Sequence, residues 1–142
     1  MDISSFPEPV AAFLRETPVY DSSCSNEAKV YYLGKDGGYF LKVASSGSLQ
    51  TEASMTKYFH ELGLSAEVIY FGGDSEKDYL ITRRIPGEDC TDRMYLDDPK
   101  KLCDTTAGLL RQLHENKGLG CPVDDRLKSY IAAVAAMEII GG

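Results

Sequence analysis

No two cysteines of this 142-residue sequence stand in C-x-x-C spacing, and its only histidines, His60 and His114, lie far from paired ligand spacing. Both absences argue against zinc chemistry. Cys24, Cys90, Cys103 and Cys121 are scattered singly, and a chain of this size in a reducing compartment is expected to keep them as free thiols. Basic residues are in deficit too: 15 Lys and Arg against 22 Asp and Glu give a formal charge of −7. The basic face that a general nucleic-acid binder needs to release counterions is missing. A cationic small molecule is the better-matched partner, while the plainer reading of the same surplus is solubility. No apolar run approaches the roughly 18 to 20 residues that cross a bilayer, and the opening "MDISSFPEPV" lacks the basic region and apolar core of a secretory signal. The expectation is a cytoplasmic chain with neither membrane nor nucleic acid as partner. Repeats and low-complexity tracts are absent as well, which points away from solenoids and disorder. With 43% hydrophobic and 26% charged residues, the chain is expected to fold as one ordinary domain or a piece of a larger one.

What is present falls into periodic segments. "PEPVAAFLRE", residues 7 to 16, puts Val10, Phe13 and Leu14 on one face of a short helix that has proline in its first turn. "AKVYYL" and "YFLKVA" are rich in β-branched and aromatic residues and flank the turn signal "GKDGG", which predicts a hairpin. "SLQTEASMTKYFHELG" predicts a helix with Ser48 as N-cap, a stripe of Met55, Phe59 and Leu62, and Gly63 as its stop. "AEVIYFGGDSEKDYLITRR" predicts a second hairpin turning at "GGDSEK". After "IPGEDC" the pattern becomes helical. Asp98 caps a helix with Pro99 at its first position, Leu102, Leu109 and Leu113 along one face and Gly118 past its end, and a last helix over 126–140 repeats Leu127, Ile131 and Val134. The order is helix, two strands, helix, two strands, then helices, an α+β arrangement in two sub-lobes.

Within the first hairpin one residue needs explaining. Lys42 sits between Leu41 and Val43 in an apolar strand, and an unpaired buried ammonium is costly, so it must reach solvent or meet a partner. Residues two apart in a strand share a face, which puts Phe40, Lys42 and Ala44 together. An aromatic face beside a fixed cation suits a nucleotide, with the ring for the base and the charge for phosphate oxygens. Glu52, in the first turn of the following helix, is the nearest carboxylate able to hold that lysine. The plain alternative is a strand-edge lysine in solvent and an acidic residue stabilising a helix N-terminus.

A family resemblance bears on this choice. "VYYLGKDGGYFLKVA", "EASMTKYFHELGLSAEV", "DYLITRRIPGEDC" and "DPKKLCDTTAGLLRQLHE" resemble, in order and separation, the aminoglycoside 3′-phosphotransferases, antibiotic-resistance enzymes of the kanamycin-kinase type. The resemblance runs from residue 1 to about 130 and implies a protein-kinase-like amino-terminal lobe, an antiparallel sheet with one crossing helix, followed by the first helices of a carboxy-terminal lobe. On that reading residues 1–85 are the nucleotide-binding lobe, 86–98 the linker and 99–142 the helical start of a second lobe. The resemblance further implies that Lys42 contacts the α- and β-phosphates of ATP, Glu52 pairs with it and Phe40 stacks on adenine. Ser23, Ser25 and Asn26 fall in the loop over the phosphates, which has none of the glycines of a protein-kinase phosphate loop. Backbone groups of Arg83 and Ile85 would meet the adenine edge, with Thr82 behind the base. His114, in "RQLHEN", is followed by Glu115 and Asn116 rather than Gly-Asp, so it reads as a helix-terminal cation.

The family's H-G-D-x-x-x-x-N catalytic loop and D-x-G metal motif have no counterpart here. "KDGG" at 35–38 is a hairpin turn, and "DD" at 124–125 opens a helix. No catalytic or metal-binding residue is therefore assigned, and the Mg²⁺ ligands, the base and most of the aminoglycoside pocket are expected in sequence beyond these residues. Three readings remain: the nucleotide-binding part of an ATP-dependent aminoglycoside phosphotransferase, inactive alone; a non-catalytic truncated kinase-like binding or interaction protein; or an engineered or split fragment awaiting its complement. In each case exposed apolar faces on the helices at 99–117 and 126–140 are expected to favour self-association.

Overall fold

A computed structural model describes residues 3–123; the helix expected over 126–140, with Asp124 and Asp125, lies outside them. After a single 3₁₀ turn, Ile3–Ser5, helix α1 spans Glu8–Leu14. Val10 and Leu14 are fully buried, and Phe13 meets Tyr39 edge-on with ring centroids 4.8 Å apart, as the spacing predicts. The strands are β1 (Val19–Asp21), β2 (Ala28–Leu33), β3 (Tyr39–Ser45), β4 (Val68–Gly73) and β5 (Lys77–Arg83). They form one antiparallel sheet in the order β1-β2-β3-β5-β4.

Strand β1 is an addition to the two expected hairpins. Its three residues follow Pro18 and precede a serine-rich loop, too short a run to show alternation. It exists as a strand because Val19, Tyr20 and Asp21 pair with Leu33, Tyr32 and Tyr31. Both hairpins fall where their turn residues predict. In the first, Asp36, Gly37 and Gly38 all take positive φ, the conformation that Gly and Asp tolerate best. In the second, Asp74 Oδ1 accepts from the N–H groups of Glu76 and Lys77, both at 2.8 Å.

Helix α2 (Gln50–Glu61) lies across the sheet, and its end is a Schellman cap. Gly63, at φ +72°, donates to His60 O at 2.9 Å, and Leu64 donates to Phe59 O at 2.8 Å. Its start corrects the sequence reading. Ser48 is not the N-cap: its hydroxyl turns back to Ser45 O, and Leu49 occupies the cap position. The fully buried residue of this helix lies on a different face from the expected stripe: Ala53, with the N-cap Leu49, is buried, while Met55 and Phe59 are half-buried and Leu62 is 42% exposed. The single-methyl side chain of Ala53 lets the helix approach the sheet at Leu80, Ala44, Val68 and Phe71.

The two faces of the sheet are treated differently. Leu33, Tyr39, Leu41, Tyr79 and Ile81 face α1 and form the main core with Val10 and Leu14. On the opposite face α2 covers only the Ala44 and Leu80 side, leaving a half-exposed aromatic region on the same face. Beyond β5 the expected linker contains a helical turn of its own, α3 (Arg93–Leu96), capped by Asp92 accepting from Met94 N at 2.8 Å. Helix α4 (Pro99–Glu115) starts as predicted, with Asp98 accepting from Lys101 N at 3.0 Å.

Candidate functional site

The less covered half of the sheet carries three of the residues singled out by the sequence, Phe40, Lys42 and Thr82. In the β2–β3–β5 register Tyr32 is opposite Phe40 and Phe40 opposite Thr82, while Val30 is opposite Lys42 and Lys42 opposite Leu80. Cross-strand partners share a face, so Phe40 and Lys42 line one surface as expected, and Thr82 lies on it too. Phe40 does not stand alone there. Its ring is 5.5 Å from that of Tyr32, which stacks on Tyr20 at 6.1 Å. Sequence reasoning missed both tyrosines: Tyr20 reaches the row only through β1, and the place of Tyr32 opposite Phe40 depends on the register of the hairpin.

Lys42 meets its partner. Its Nζ is 2.7 Å from Glu52 Oε2, with side-chain exposures of 33% and 43%. That geometry answers the question raised by a lysine in an apolar strand: the ammonium reaches the edge of α2 and is paired there. Pairs this exposed contribute about 0–1 kcal/mol to stability. The consequence of the contact is positional, since it fixes a cation beside an aromatic face with part of its surface still accessible.

The loop between β1 and β2 folds back beside this point. Ser22 N donates to Val30 O at 2.8 Å, and Val30 N donates to Ser23 Oγ at 3.0 Å. The Ser23 hydroxyl is thus bound to the residue opposite Lys42, while Ser25 and Asn26 are exposed farther along the loop. Asp21 accepts from Ser23 N at 2.9 Å, and its bonds from Ser23 hold its carboxyl below the usual carboxylate range.

At the end of β5, Arg83 points to the other face. Its Nε donates to Glu67 Oε2 at 2.8 Å, and its guanidinium lies 5.1 Å over the Tyr39 ring. This hydrogen bond lowers the Glu67 pKa and raises that of Arg83. Arg83 N–H donates to Glu67 O at 2.9 Å. Ile85 is 61% exposed in the segment that follows. Sequence reasoning also missed Asp78, a buried carboxylate that accepts from Leu49 N at 2.9 Å. Nothing local signals that contact, because the partners are far apart in the chain.

Among the described residues no three His, Cys, Asp or Glu side chains are grouped to hold a metal ion. Cys24, Cys90, Cys103 and Cys121 are free thiols. Among those residues no helix is long and apolar enough to cross a membrane.

The sequence profile of the phosphotransferase enzyme family (APH) matches residues 22–138. The chain belongs to that family. A probable aminoglycoside 3′-phosphotransferase of Lactococcus lactis subsp. lactis (strain IL1403) is 40% identical over 134 residues, covering 94% of this chain and 51% of that relative. The crystal structure of an aminoglycoside-3′-phosphotransferase of type VIII matches with a TM-score of 0.67 and 28% identity, over 86% of this chain and 48% of the other. This phosphotransferase-family chain therefore spans about half the length of the relatives it matches. Its fold is the α+β, protein-kinase-like arrangement implied by the four sequence blocks, with the five-stranded sheet and α2 forming the lobe that carries Lys42 and Glu52.

Proposed function

We propose that these residues form the nucleotide-binding part of an ATP-dependent aminoglycoside phosphotransferase. The observation that carries this reading is the Lys42–Glu52 pair, 2.7 Å apart, on the same sheet face as Phe40. In this account Lys42 holds phosphate oxygens of ATP, Glu52 keeps its ammonium in place, and Phe40, backed by Tyr32, stacks on the base. Thr82 lies behind the base. Arg83 offers its carbonyl, its N–H being engaged by Glu67, and Ile85 offers its backbone beyond the strand. Ser23 shapes the phosphate loop through Val30, leaving Ser25 and Asn26 to face the phosphates. A cytoplasmic location matches ATP as phosphoryl donor.

Among the described residues no three His, Cys, Asp or Glu side chains are grouped to hold Mg²⁺. Nor does any aspartate in residues 1–142 stand in a catalytic-loop motif to accept a hydroxyl proton. Positioning and charge neutralisation make up most of phosphoryl-transfer catalysis. The 142-residue chain alone is accordingly expected not to phosphorylate kanamycin at saturating ATP and magnesium. Transfer by the purified chain that vanishes in Lys42→Ala would overturn this expectation.

Nucleotide binding itself is expected to be weak and measurable by calorimetry. Removing the Phe40 ring should cost about 1–3 kcal/mol, the usual worth of a base–aromatic stack. Unchanged affinity in Phe40→Ala would remove the stacking role. The alternative, a non-catalytic binding protein, draws on a different observation: Leu109, Leu110 and Leu113 of α4 are 58%, 48% and 40% exposed. A chain that takes up no nucleotide yet associates through that face would favour it.

A further inference from the structure

We propose that Asp78 is a positioning residue: its carboxylate anchors the start of α2 to β5 and so sets where Glu52 meets Lys42. Asp78 is the one buried charged or polar residue among the described residues, 6% exposed. Burying a carboxylate is unfavourable unless its hydrogen bonds compensate. Here its Oδ2 accepts from Leu49 N at 2.9 Å, across 29 residues of sequence. Leu49 holds the N-cap position of α2, where its own side chain has no oxygen to offer, and the Ser48 hydroxyl is turned to Ser45. A carboxylate from the sheet thus satisfies the N-cap N–H of α2, the donor that the N3 carboxylate of a capping box normally meets.

The location gives this bond its consequence. Glu52 lies in the first turn of α2, just after Leu49. Two residues beyond Asp78 and on the same face, Leu80 packs with Leu49 and Ala53 and sits opposite Lys42 in the β3–β5 register. One strand therefore holds the helix at two points, polar and apolar, while its neighbour carries the lysine. A slide or rotation of the first turn of α2 would move Glu52 away from Nζ. Space for the carboxylate is kept by Gly73, the register partner of Asp78: a Cβ there would come 2.7 Å from Asp78 Oδ1 and 2.8 Å from Lys77 O.

This inference rests on the nucleotide-binding reading for its functional consequence. The helix anchor itself is independent of it. The test compares Asp78→Asn, which keeps an acceptor and loses the charge, with Asp78→Glu, which keeps the charge and moves the acceptor by a methylene. Each is made in the full 142-residue chain, with and without Glu52→Gln. Amide hydrogen exchange reads the anchor, and ADP titration reads its effect on the site.

For Asp78→Glu, exchange at Leu49 and the first turn of α2 should quicken about tenfold while β2 and β3 keep their protection, and ADP affinity should fall by about the same factor. Asp78→Asn should stay within about twofold of the parent in both readouts. In the Glu52→Gln background the further loss of affinity from Asp78→Glu should shrink to less than about twofold, because the two residues act through one contact. Equal losses in both backgrounds, or Asn more damaging than Glu, would show a general structural role and overturn the proposal. Should the parent chain take up no ADP, the nucleotide-binding reading fails, and with it the effect assigned to Asp78 on the site. Exchange still decides the anchor, and unchanged protection of α2 in Asp78→Glu would refute it.

Discussion

A single residue, Lys42, links the sequence to the chemistry, and its ion pair was legible because strand alternation and helix position are local rules. Its partner Glu52 is 43% exposed, so Glu52→Gln should change stability by less than about 1 kcal/mol while weakening nucleotide binding. Urea denaturation and calorimetry on the same protein separate these effects; a large loss of stability with unchanged affinity would make the pair structural. Asp74 is a contrasting carboxylate. Hydrogen bonds from the backbone of Glu76 and then Lys77, followed by the Tyr79 hydroxyl, lower its pKa. A depressed folded-state value means that this residue stabilises the fold above its unfolded pKa of about 4, and that the contribution disappears as pH falls through the lower folded value. Asp74→Asn should therefore flatten the acid limb of the stability profile below about pH 4, measured as the urea midpoint against pH. An unchanged acid limb would show that the turn does not depend on the charged form. Asp78 was invisible at this scale, since its importance comes from burial and from a partner on another element.

Among the elements, those with strong periodicity or turn chemistry were legible. The apolar face of α1, the glycine-rich turn of the first hairpin and the Asp98-Pro99 start of α4 each have a local cause. Strand β1 has none, because its three residues become a strand only by pairing with β2. The start of α2 was misassigned for a related reason: sequence offers Ser48 as the cap, whereas the cap is Leu49, whose N–H is held by Asp78 of the sheet. The helix end was correctly read, because Gly63 at φ +72° suits the left-handed conformation of a Schellman cap. Gly63→Ala should cost about 1 kcal/mol without altering nucleotide affinity, a pair of outcomes that denaturation and calorimetry can check. Loss of affinity greater than that from Glu52→Gln would mean that the C-terminal end of α2, rather than its start, controls the site.

For the whole molecule, the order of elements carried the fold, while the contacts between distant segments did not show in the sequence. The single hydroxyl hydrogen of Tyr58 is shared between Asn116 Oδ1 at 3.2 Å and Leu119 O at 3.3 Å, tying α2 to the chain after α4. Above that junction Leu109, Leu110 and Leu113 line a groove of about 470 Å³ with Phe59 and Leu64. Such an apolar surface favours association, and the 142-residue chain should show a mass that rises with concentration in light scattering. Leu109→Glu should lower that association, and a constant monomer mass in the parent would contradict it. The central claim concerns the half-exposed sheet face rather than this groove. It is tested most directly by two-dimensional NMR of the labelled chain during titration with ATP. The account predicts saturable shifts at Phe40, the Lys42 ammonium, Ser25, Asn26 and Ile85, lost together in Lys42→Ala. Shifts confined to other surfaces, or none at any ATP concentration, would contradict it.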